Sequence, residues 1–154
     1  MGKFDYIPVA LEEMQLKTIF HKVHQRPGKP FWFGKHYNGV LVFAFPGNPV
    51  ATFMCLHRYF LPWLAASQGL KEKRPVYAIL DRDFMFSVSL QYFLQVKLNM
   101  EINGTLTATP FEGNGSGDFA NLEEADAFME LPLERNNFTK GEVFSIWPFK
   151  EILL

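Results

Sequence analysis

The chain has 154 residues, of which 48% are hydrophobic and 20% are charged, and its formal net charge is −1. This composition is typical of a globular protein with one ordinary core or two small ones, and it excludes a disordered chain. Fifteen Lys and Arg residues balance sixteen Asp and Glu residues, and no block of like charge resembles a nucleic-acid-binding tail.

Cys55 is the only cysteine, and it lies within an apolar run. An intramolecular disulfide is therefore impossible, and a buried thiol suits a reducing compartment. No apolar run approaches the roughly 18 residues that span a bilayer, and the first residues have no signal-peptide character. We interpret the protein as cytoplasmic, with neither nucleic acid nor membrane among its partners.

The first predicted elements are a short helix and a strand. Pro8 opens a helical pattern that runs to Leu16. The alternation over residues 18–24 then predicts a strand that carries Phe20, Lys22 and His24 on one face.

Two proline-glycine turns follow, and they bracket a block of aromatic and β-branched residues. Residues 26–30 read Arg-Pro-Gly-Lys-Pro, and residues 45–49 read Phe-Pro-Gly-Asn-Pro. Between the turns, residues 31–33 and 40–45 have the length and side chains of buried strands. Tyr37-Asn38-Gly39 between them has hairpin chemistry.

The second turn predicts the start of a helix. Asn48 can cap it, and Pro49 takes the first helical position, where a missing N–H costs nothing. The helical pattern runs to Leu64, with a kink expected at Pro62. Backbone N–H groups at such a turn suit a phosphate. Strand, turn and capped helix is also the commonest unit of α/β proteins, so a purely structural role stays open.

Charged residues are unevenly distributed along the chain. From Met14 to Lys71 there is no acidic residue, but there are seven cations: Lys17, Lys22, Arg26, Lys29, Lys35, Arg58 and Lys71. This separation favours a localised anionic ligand over nonspecific nucleic-acid binding. Lys22, Arg26 and Lys29 fall at one strand end and turn, so they are candidate anion ligands, with a solvated face as the alternative.

Residues 68–75 contain a glycine, a charged run and a proline, and they predict a domain boundary. Beyond them the pattern changes to period two in five segments: residues 76–80, 86–90, 92–98, 105–109 and 143–147. These segments predict a small antiparallel sheet or barrel. The glycine-rich residues 112–118 fit a loop or a phosphate cradle, and residues 121–126 predict a helical turn. No Ser-His-Asp, Cys-His or paired-carboxylate arrangement is apparent.

Several motifs occur together in a specific order and spacing. They are Gly2-Lys3-Phe4-Asp5-Tyr6, Phe20-His21-Lys22-Val23, Arg26-Pro27-Gly28-Lys29-Pro30, Phe45-Pro46-Gly47-Asn48-Pro49-Val50, Gly115-Ser116-Gly117-Asp118 and Gly141-Glu142. With them the chain resembles, over essentially its whole length, the molybdopterin molybdotransferases of the MoeA and gephyrin E-domain family. The resemblance implies molybdenum-cofactor biosynthesis from adenylylated molybdopterin and molybdate, with hydrolysis of the adenylate in a magnesium-dependent step.

The resemblance also nominates site residues. Asp5 resembles an acidic residue near the metal and molybdate, which makes it the expected Mg²⁺ ligand, and Lys22 and Arg26 match catalytic basic positions. Arg26 stands where a lysine is expected, so a planar guanidinium with several N–H donors replaces a compact ammonium group. Gln95 stands where many relatives have an arginine, which weakens a role of its strand in anion binding. The expected substrate-binding residues are Lys29, Pro46, Gly47, Asn48, Pro49 and Ser116.

The resemblance implies a two-part fold. Full members have two further N-terminal domains and a Gly-Gly-Val-Ser-x-Gly motif, and Met1-Gly2 looks like the end of that motif. We expect residues 1–70 to form the C-terminal half of a three-layer α/β molybdopterin-binding (MogA-like) domain, and residues 75–154 to form a β-barrel domain. We expect this fragment to be inactive alone and to form a homodimer, as its full-length relatives do.

Two other functions stay open at this point. One is a noncatalytic interaction module, because the family includes a scaffold that holds receptor tails near its β-domain. The other is an isolated α/β domain with a generic phosphate-binding turn. Removal of the Lys22, Arg26 and Lys29 charges distinguishes these functions from the enzyme. If the three cations are only a solvated face, pterin binding by the full-length protein should stay unchanged.

Overall fold

The computed structural model describes residues 6–71, 74–111 and 118–151. The first part of the chain contains α1 (Ile7–Glu13), β1 (Leu16–His21), β2 (Gln25–Arg26), β3 (Trp32–His36), β4 (Leu41–Ala44), α2 (Pro49–Cys55), a π-helical turn (Leu56–Phe60) and α3 (Leu61–Ser67). The second part contains β5 (Val76–Leu80), β6 (Phe84–Met85), β7 (Gln91–Met100), β8 (Leu106–Pro110), α4 (Asp118–Glu124), β9 (Ala127–Leu131), β10 (Asn137–Phe138) and β11 (Val143–Pro148).

Strands β1, β3 and β4 form an antiparallel sheet in the order β1-β3-β4. We call α2, the π-helical turn and α3 together the helical segment (residues 49–67). One face of the sheet packs on this segment through aromatic rings: the centroid of Phe43 lies 4.7 Å from that of Phe33 and 5.0 Å from that of Trp63. Along β3 the neighbouring residue Trp32 lies over Gly34, where an added Cβ would come within 2.2 Å of the indole ring. A larger residue at position 34 would therefore displace the buried tryptophan.

The second part closes into a five-stranded barrel. The strands follow the order β7-β8-β5-β11-β9, and β9 pairs back with β7. The pair β5–β8 is parallel, and the other four pairs of the ring are antiparallel. Alternate side chains point inward and are buried, among them Leu80, Leu94, Val96, Ala127, Met129 and Leu131. The short strands β6 and β10 pair with each other beside the barrel.

The two parts share a second core on the outside of the barrel. Phe93 and Phe128 alternate with the inward-facing residues of β7 and β9, and yet each is at most 1% exposed. They are covered because Met54 and Cys55 of α2 belong to the same buried cluster. Strand β2 adds a second connection, since it pairs in parallel with the start of β7.

The structure confirms the small barrel and corrects several expectations about local structure. The strand predicted over residues 18–24 ends at His21, because Lys22 has a φ of 68° that no regular strand adopts. Lys22 and His24 therefore do not share a strand face with Phe20. No strand forms over residues 86–90, and the pair β5–β8 is parallel where an antiparallel sheet was expected.

The predicted helix to Leu64 is interrupted by the π-helical turn, in which the N–H of Leu61 bonds to the carbonyl of Leu56. Pro62 explains the position of this irregularity, because it lacks the N–H that an α-helix needs there. The expected three-layer arrangement is also absent from the described part of residues 1–70, which holds a three-stranded antiparallel sheet and its helices.

Candidate functional site

The residues between β1 and β3 form a tight loop that carries the predicted cations. We call residues 22–30 the basic loop. Its backbone is held by hydrogen bonds from the N–H of Val23 to the carbonyl of Lys29 (2.9 Å) and from the N–H of Lys22 to the carbonyl of Phe31 (3.0 Å). Gly28 has a φ of 96°, which an L side chain rarely adopts. The loop is therefore a defined structure whose sequence needs a glycine at position 28.

Lys22 lies at a cavity of about 370 Å³ beside the basic loop. The cavity is lined by Phe20, Lys22, Val23, His24, Phe31 and Tyr59. Three aromatic rings thus accompany one ammonium group and one imidazole. Such a combination can hold a planar ring against the aromatic walls and an anionic group against the lysine.

Arg26 is held against the barrel. Its guanidinium carbon lies 5.6 Å from the ring centroid of Phe86 and 5.6 Å from that of Tyr92. A planar guanidinium stacks on aromatic rings better than an ammonium does. The arginine in place of an expected lysine therefore has a structural explanation. The structure brings Lys22 to the cavity and stacks Arg26 on the barrel, while Lys29 is exposed on the loop.

The turn from Pro46 to Pro49 forms the predicted helix start. The side-chain oxygen of Asn48 accepts a hydrogen bond from the N–H of Ala51 (3.0 Å), and Pro49 is the first residue of α2. The hydroxyl of Thr52 donates to the carbonyl of Pro46. Asn48 thus caps the helix with its own side chain, and a substrate-binding role of Pro46, Gly47, Asn48 and Pro49 stays a prediction.

Two predicted site residues, Asp5 and Ser116, lie outside the described residues. Within residues 6–71, 74–111 and 118–151, no group of three His, Cys, Asp or Glu side chains could hold a metal ion. Asp5 stays the predicted magnesium ligand. Gln95, the second departure noted in the sequence, is a buried residue of β7 with 7% exposure.

Gln25 is a buried polar residue of the basic loop that sequence reasoning missed, and it is 1% exposed. Its amide nitrogen donates to the carbonyl of Pro27 (3.2 Å) and to Sγ of Cys55 (3.8 Å), and its carbonyl oxygen accepts from the hydroxyl of Tyr59. Burial raises the pKa of Cys55 to about 12, and burial likewise raises the pKa of Tyr59 to about 12. Both groups are therefore protonated near neutral pH.

A second polar cluster joins the helical segment to the barrel. Glu130 of β9 accepts a hydrogen bond from the indole N–H of Trp147 (2.7 Å) and another from the side chain of Gln91. It also forms an ion pair with Arg58, whose Nε lies 3.3 Å from the carboxylate. The guanidinium of Arg58 stacks over Trp147 at 4.4 Å. No short-range motif predicts this cluster, because Arg58 and Glu130 are 72 positions apart.

The barrel and the loop attached to it define a recognisable class of protein. Residues 77–149 match the family described as MoeA C-terminal region (domain IV). The chain as a whole corresponds to a C-terminal part of MoeA proteins.

Individual relatives support this assignment. A molybdopterin molybdenumtransferase from Synechocystis sp. is 38% identical over 147 residues, which are 95% of this chain and 35% of the relative. An enzyme of the same name from Haemophilus influenzae is 30% identical over 99% of this chain and 38% of its own length. The crystal structure of a molybdopterin biosynthesis MoeA protein from Pyrococcus horikosii superimposes with a TM-score of 0.74 at 26% identity, over 93% of this chain and 34% of that one.

The chain therefore spans about a third of the length of these relatives. Among the described residues, no helix is both long and apolar enough to cross a membrane.

Proposed function

We propose that this chain supplies part of the site at which molybdate is inserted into adenylylated molybdopterin. The names of the relatives support the pathway, since they are molybdopterin molybdenumtransferases. The observation that carries the proposal is the position of Lys22 at a cavity walled by Phe20, Phe31 and Tyr59. A cation beside aromatic walls suits a ligand that combines a planar heterocycle with a phosphate.

In the proposed reaction, water cleaves the phosphoanhydride of the adenylate and AMP leaves. The two thiols of the released pterin then bind molybdenum in place of one oxygen of molybdate, which leaves as water with the two thiol protons. The ammonium of Lys22 binds a phosphate oxygen and offsets its negative charge. The aromatic walls orient the planar ring and exclude water from it. Arg26 keeps the basic loop against the barrel through Phe86 and Tyr92. Magnesium, if it is held by the predicted ligand Asp5, would supply positive charge to the phosphates.

The test of this proposal is the affinity of the Lys22→Ala variant for adenylylated molybdopterin, measured by calorimetric titration at low salt. Loss of a charge-assisted hydrogen bond should weaken binding by about 1.5–3 kcal/mol. Lys140→Ala is the matched control, because Lys140 is an exposed lysine on the barrel side. Equal affinity of the wild type and Lys22→Ala would remove Lys22 from the site.

We propose that Asp5 binds the metal and is not a general base. A lone carboxylate near a phosphate-rich ligand needs a cation to offset their repulsion. In a full-length enzyme, Asp5→Asn should raise the magnesium or molybdate concentration that the reaction needs while pterin affinity stays nearly unchanged. A collapse of pterin affinity in this variant would contradict the role.

The proposed domains are residues 1–70, which contain the basic loop, and the barrel domain over residues 75–154. Because the chain spans a third of its relatives, we propose that it is inactive alone. Formation of the cofactor from adenylylated molybdopterin and molybdate by this chain alone would overturn that proposal.

We also propose that the chain forms a symmetric homodimer. The support is exposed apolar surface on the first part of the chain, including Ile7, Val9, Ile19 and Val40, each more than half exposed. Light scattering at micromolar concentration should give twice the mass of the 17.8 kDa chain, and a strict monomer would contradict the dimer.

A further inference from the structure

The basic loop depends on a side chain that does not line the cavity. Gln25 is buried in the loop, and its amide group is engaged by three partners: Pro27 of the same loop, Cys55 of α2 and Tyr59 of the π-helical turn. Two of the partners lie outside the loop, so Gln25 connects the loop backbone to the helical segment. The close approach at Gly28 supports this view, because an added Cβ there would lie 2.7 Å from the side-chain nitrogen of Gln25.

Two consecutive side chains of the π-helical turn contact different parts of the molecule. Arg58 is paired with Glu130 of the barrel, while Tyr59 donates its hydroxyl to Gln25 and lines the cavity with its ring. The ring of Tyr59 also stacks on Phe31 with a centroid distance of 5.2 Å. The barrel thus fixes Arg58, and the neighbouring Tyr59 is fixed in turn against the loop. π-Helical turns inside α-helices occur frequently at functional sites.

We propose that Tyr59 and Gln25 are positioning residues, which hold the basic loop in the conformation that presents Lys22 to an anionic ligand. This inference rests on the proposed function, because it assigns the geometry of the same anion site. The Tyr59 hydroxyl is the only polar group of its side chain, and it is already donated to Gln25. The hydroxyl of Tyr59 therefore affects phosphate binding by fixing the basic loop, while its ring forms part of the cavity wall.

The hydrogen bond between Tyr59 and Gln25 helps to set the geometry of the basic loop. Lys22 begins the loop with a left-handed φ of 68°. Its conformation is closed by the hydrogen bonds from Lys22 to Phe31 and from Val23 to Lys29. If the hydrogen bond from Tyr59 to Gln25 is lost, Gln25 keeps only its hydrogen bond to Cys55 as a polar contact with the helical segment. The ammonium of Lys22 then samples more positions, and the affinity for an anion falls without any loss of charge.

The experiment compares Tyr59→Phe and Gln25→Met in the full chain, with inorganic pyrophosphate as the probe. Tyr59→Phe keeps the cavity wall and removes the hydroxyl, whereas Gln25→Met keeps the volume of a residue that lies outside the cavity lining. We expect both variants to bind pyrophosphate about fivefold to tenfold more weakly than the wild type. We expect the double variant to bind no more weakly than Gln25→Met alone, because Gln25→Met already removes the contact that Tyr59→Phe removes. Tyr77→Phe is the control, since Tyr77 is an exposed tyrosine of β5.

Amide hydrogen exchange supplies a second readout that does not depend on ligand. The amides of Lys22 and Val23, which donate the hydrogen bonds that close the loop, should exchange faster in both variants, while the amides of Leu94 and Met129 in the barrel should stay as protected as in the wild type. Equal acceleration in loop and barrel would show a general loss of stability and would overturn the proposal.

Two further outcomes are decisive. If Tyr59→Phe weakens binding and Gln25→Met does not, Tyr59 contacts the ligand directly and the positioning role is wrong. If the wild type does not bind pyrophosphate, the proposed anion site is wrong, and unchanged exchange at the amides of Lys22 and Val23 would then also exclude the positioning role. Accelerated loop exchange in that case would support the positioning of the loop while the anion site itself falls.

Discussion

The barrel and the three-stranded sheet differ in how completely their strands are covered. In β9, Ala127, Met129 and Leu131 are all 0% exposed. In β4, whose sequence Leu-Val-Phe-Ala is entirely apolar, all four residues are only half-buried. The difference comes from partners: β9 is paired on both edges within a closed ring, whereas β4 is an edge strand of its sheet. Apolar composition therefore specifies a strand, and closure of the sheet decides whether that strand becomes core.

The largest expected effect tests this difference with one substitution in each part. Leu94→Ala in the barrel should destabilise the protein by about 2–5 kcal/mol, because Leu94 is fully buried and its loss leaves a cavity. Leu41→Ala in β4 should cost about 1 kcal/mol, since the half-buried side chain already contacts water. Urea unfolding followed by circular dichroism measures both values. Equal costs would contradict the view that the two parts are covered to different degrees.

The next effect tests the connection between the two parts. Glu130→Ala removes the acceptor for Arg58, Gln91 and Trp147, and it should destabilise the chain by about 2 kcal/mol because these donors lose their partner in a partly buried place. Glu134→Ala is the matched control, as Glu134 is exposed in the turn after β9, and it should change stability by less than about 0.5 kcal/mol. If the two variants unfold at the same urea concentration, Glu130 does not connect the parts.

The sequence predicts those features that depend on local patterns. Period-two alternation predicts most barrel strands, and the Asn48-Pro49 pair predicts the start of α2 because capping is a property of neighbouring residues. The place of Lys22 beside a ligand-sized cavity is consistent with its prediction as an anion ligand.

Other features depend on residues far apart in the chain. The stack of Arg26 on Phe86 and Tyr92 requires the pairing of β2 with β7, and a two-residue strand carries no periodic signal. The hydrogen bond from Tyr59 to Gln25 spans 34 positions, and a glutamine in a loop is ordinarily a surface residue. The one available signal was Pro62, which predicts an irregular helix but not the side chains that the irregularity presents.

Alkaline pH sharpens the comparison, because it acts on the core that the two parts share. Burial raises the pKa of Cys55 from 9.0 to about 12. The unfolded thiol ionises first, so this contribution to stability is complete below pH 9 and is lost as pH rises towards 12, with a slope of at most about 1.4 kcal/mol per pH unit. The raised pKa of Tyr59 contributes to stability in the same direction, and this contribution is lost as pH rises above 10.

Urea unfolding at pH 8 and pH 10 measures this effect. The wild type should lose about 1 kcal/mol more over this interval than Cys55→Ala does. The comparison uses the change with pH within each protein, so a lower stability of the variant at pH 8 does not affect it. Parallel loss in the two proteins would show that Cys55 does not cause the alkaline sensitivity.

Acid pH acts on the barrel instead, and the smallest effect is expected there. Asp126, between α4 and β9, accepts a hydrogen bond from the N–H of Leu98 (3.0 Å) and lies 3.1 Å from Nζ of Lys97 and 3.6 Å from Nζ of Lys150. Burial alone would raise its pKa, but the bonds from Leu98 and Lys97 and the two positive charges lower the pKa overall. A lowered pKa contributes stability above the unfolded value of 3.8, and that contribution is lost as pH falls through the folded value.

Asp126→Asn keeps an oxygen acceptor for Leu98 and removes the charge. It should cost less than about 1 kcal/mol at pH 7, because both lysines are substantially exposed and water screens their attraction. The difference from the wild type should shrink at pH 3, where Asp126 becomes protonated in the unfolded chain. Glu124→Gln, an exposed change at the end of α4, controls for general charge effects. A difference that grows towards pH 3 would mean that Asp126 does not stabilise the barrel through its charge, and acid sensitivity would then have to arise outside this junction.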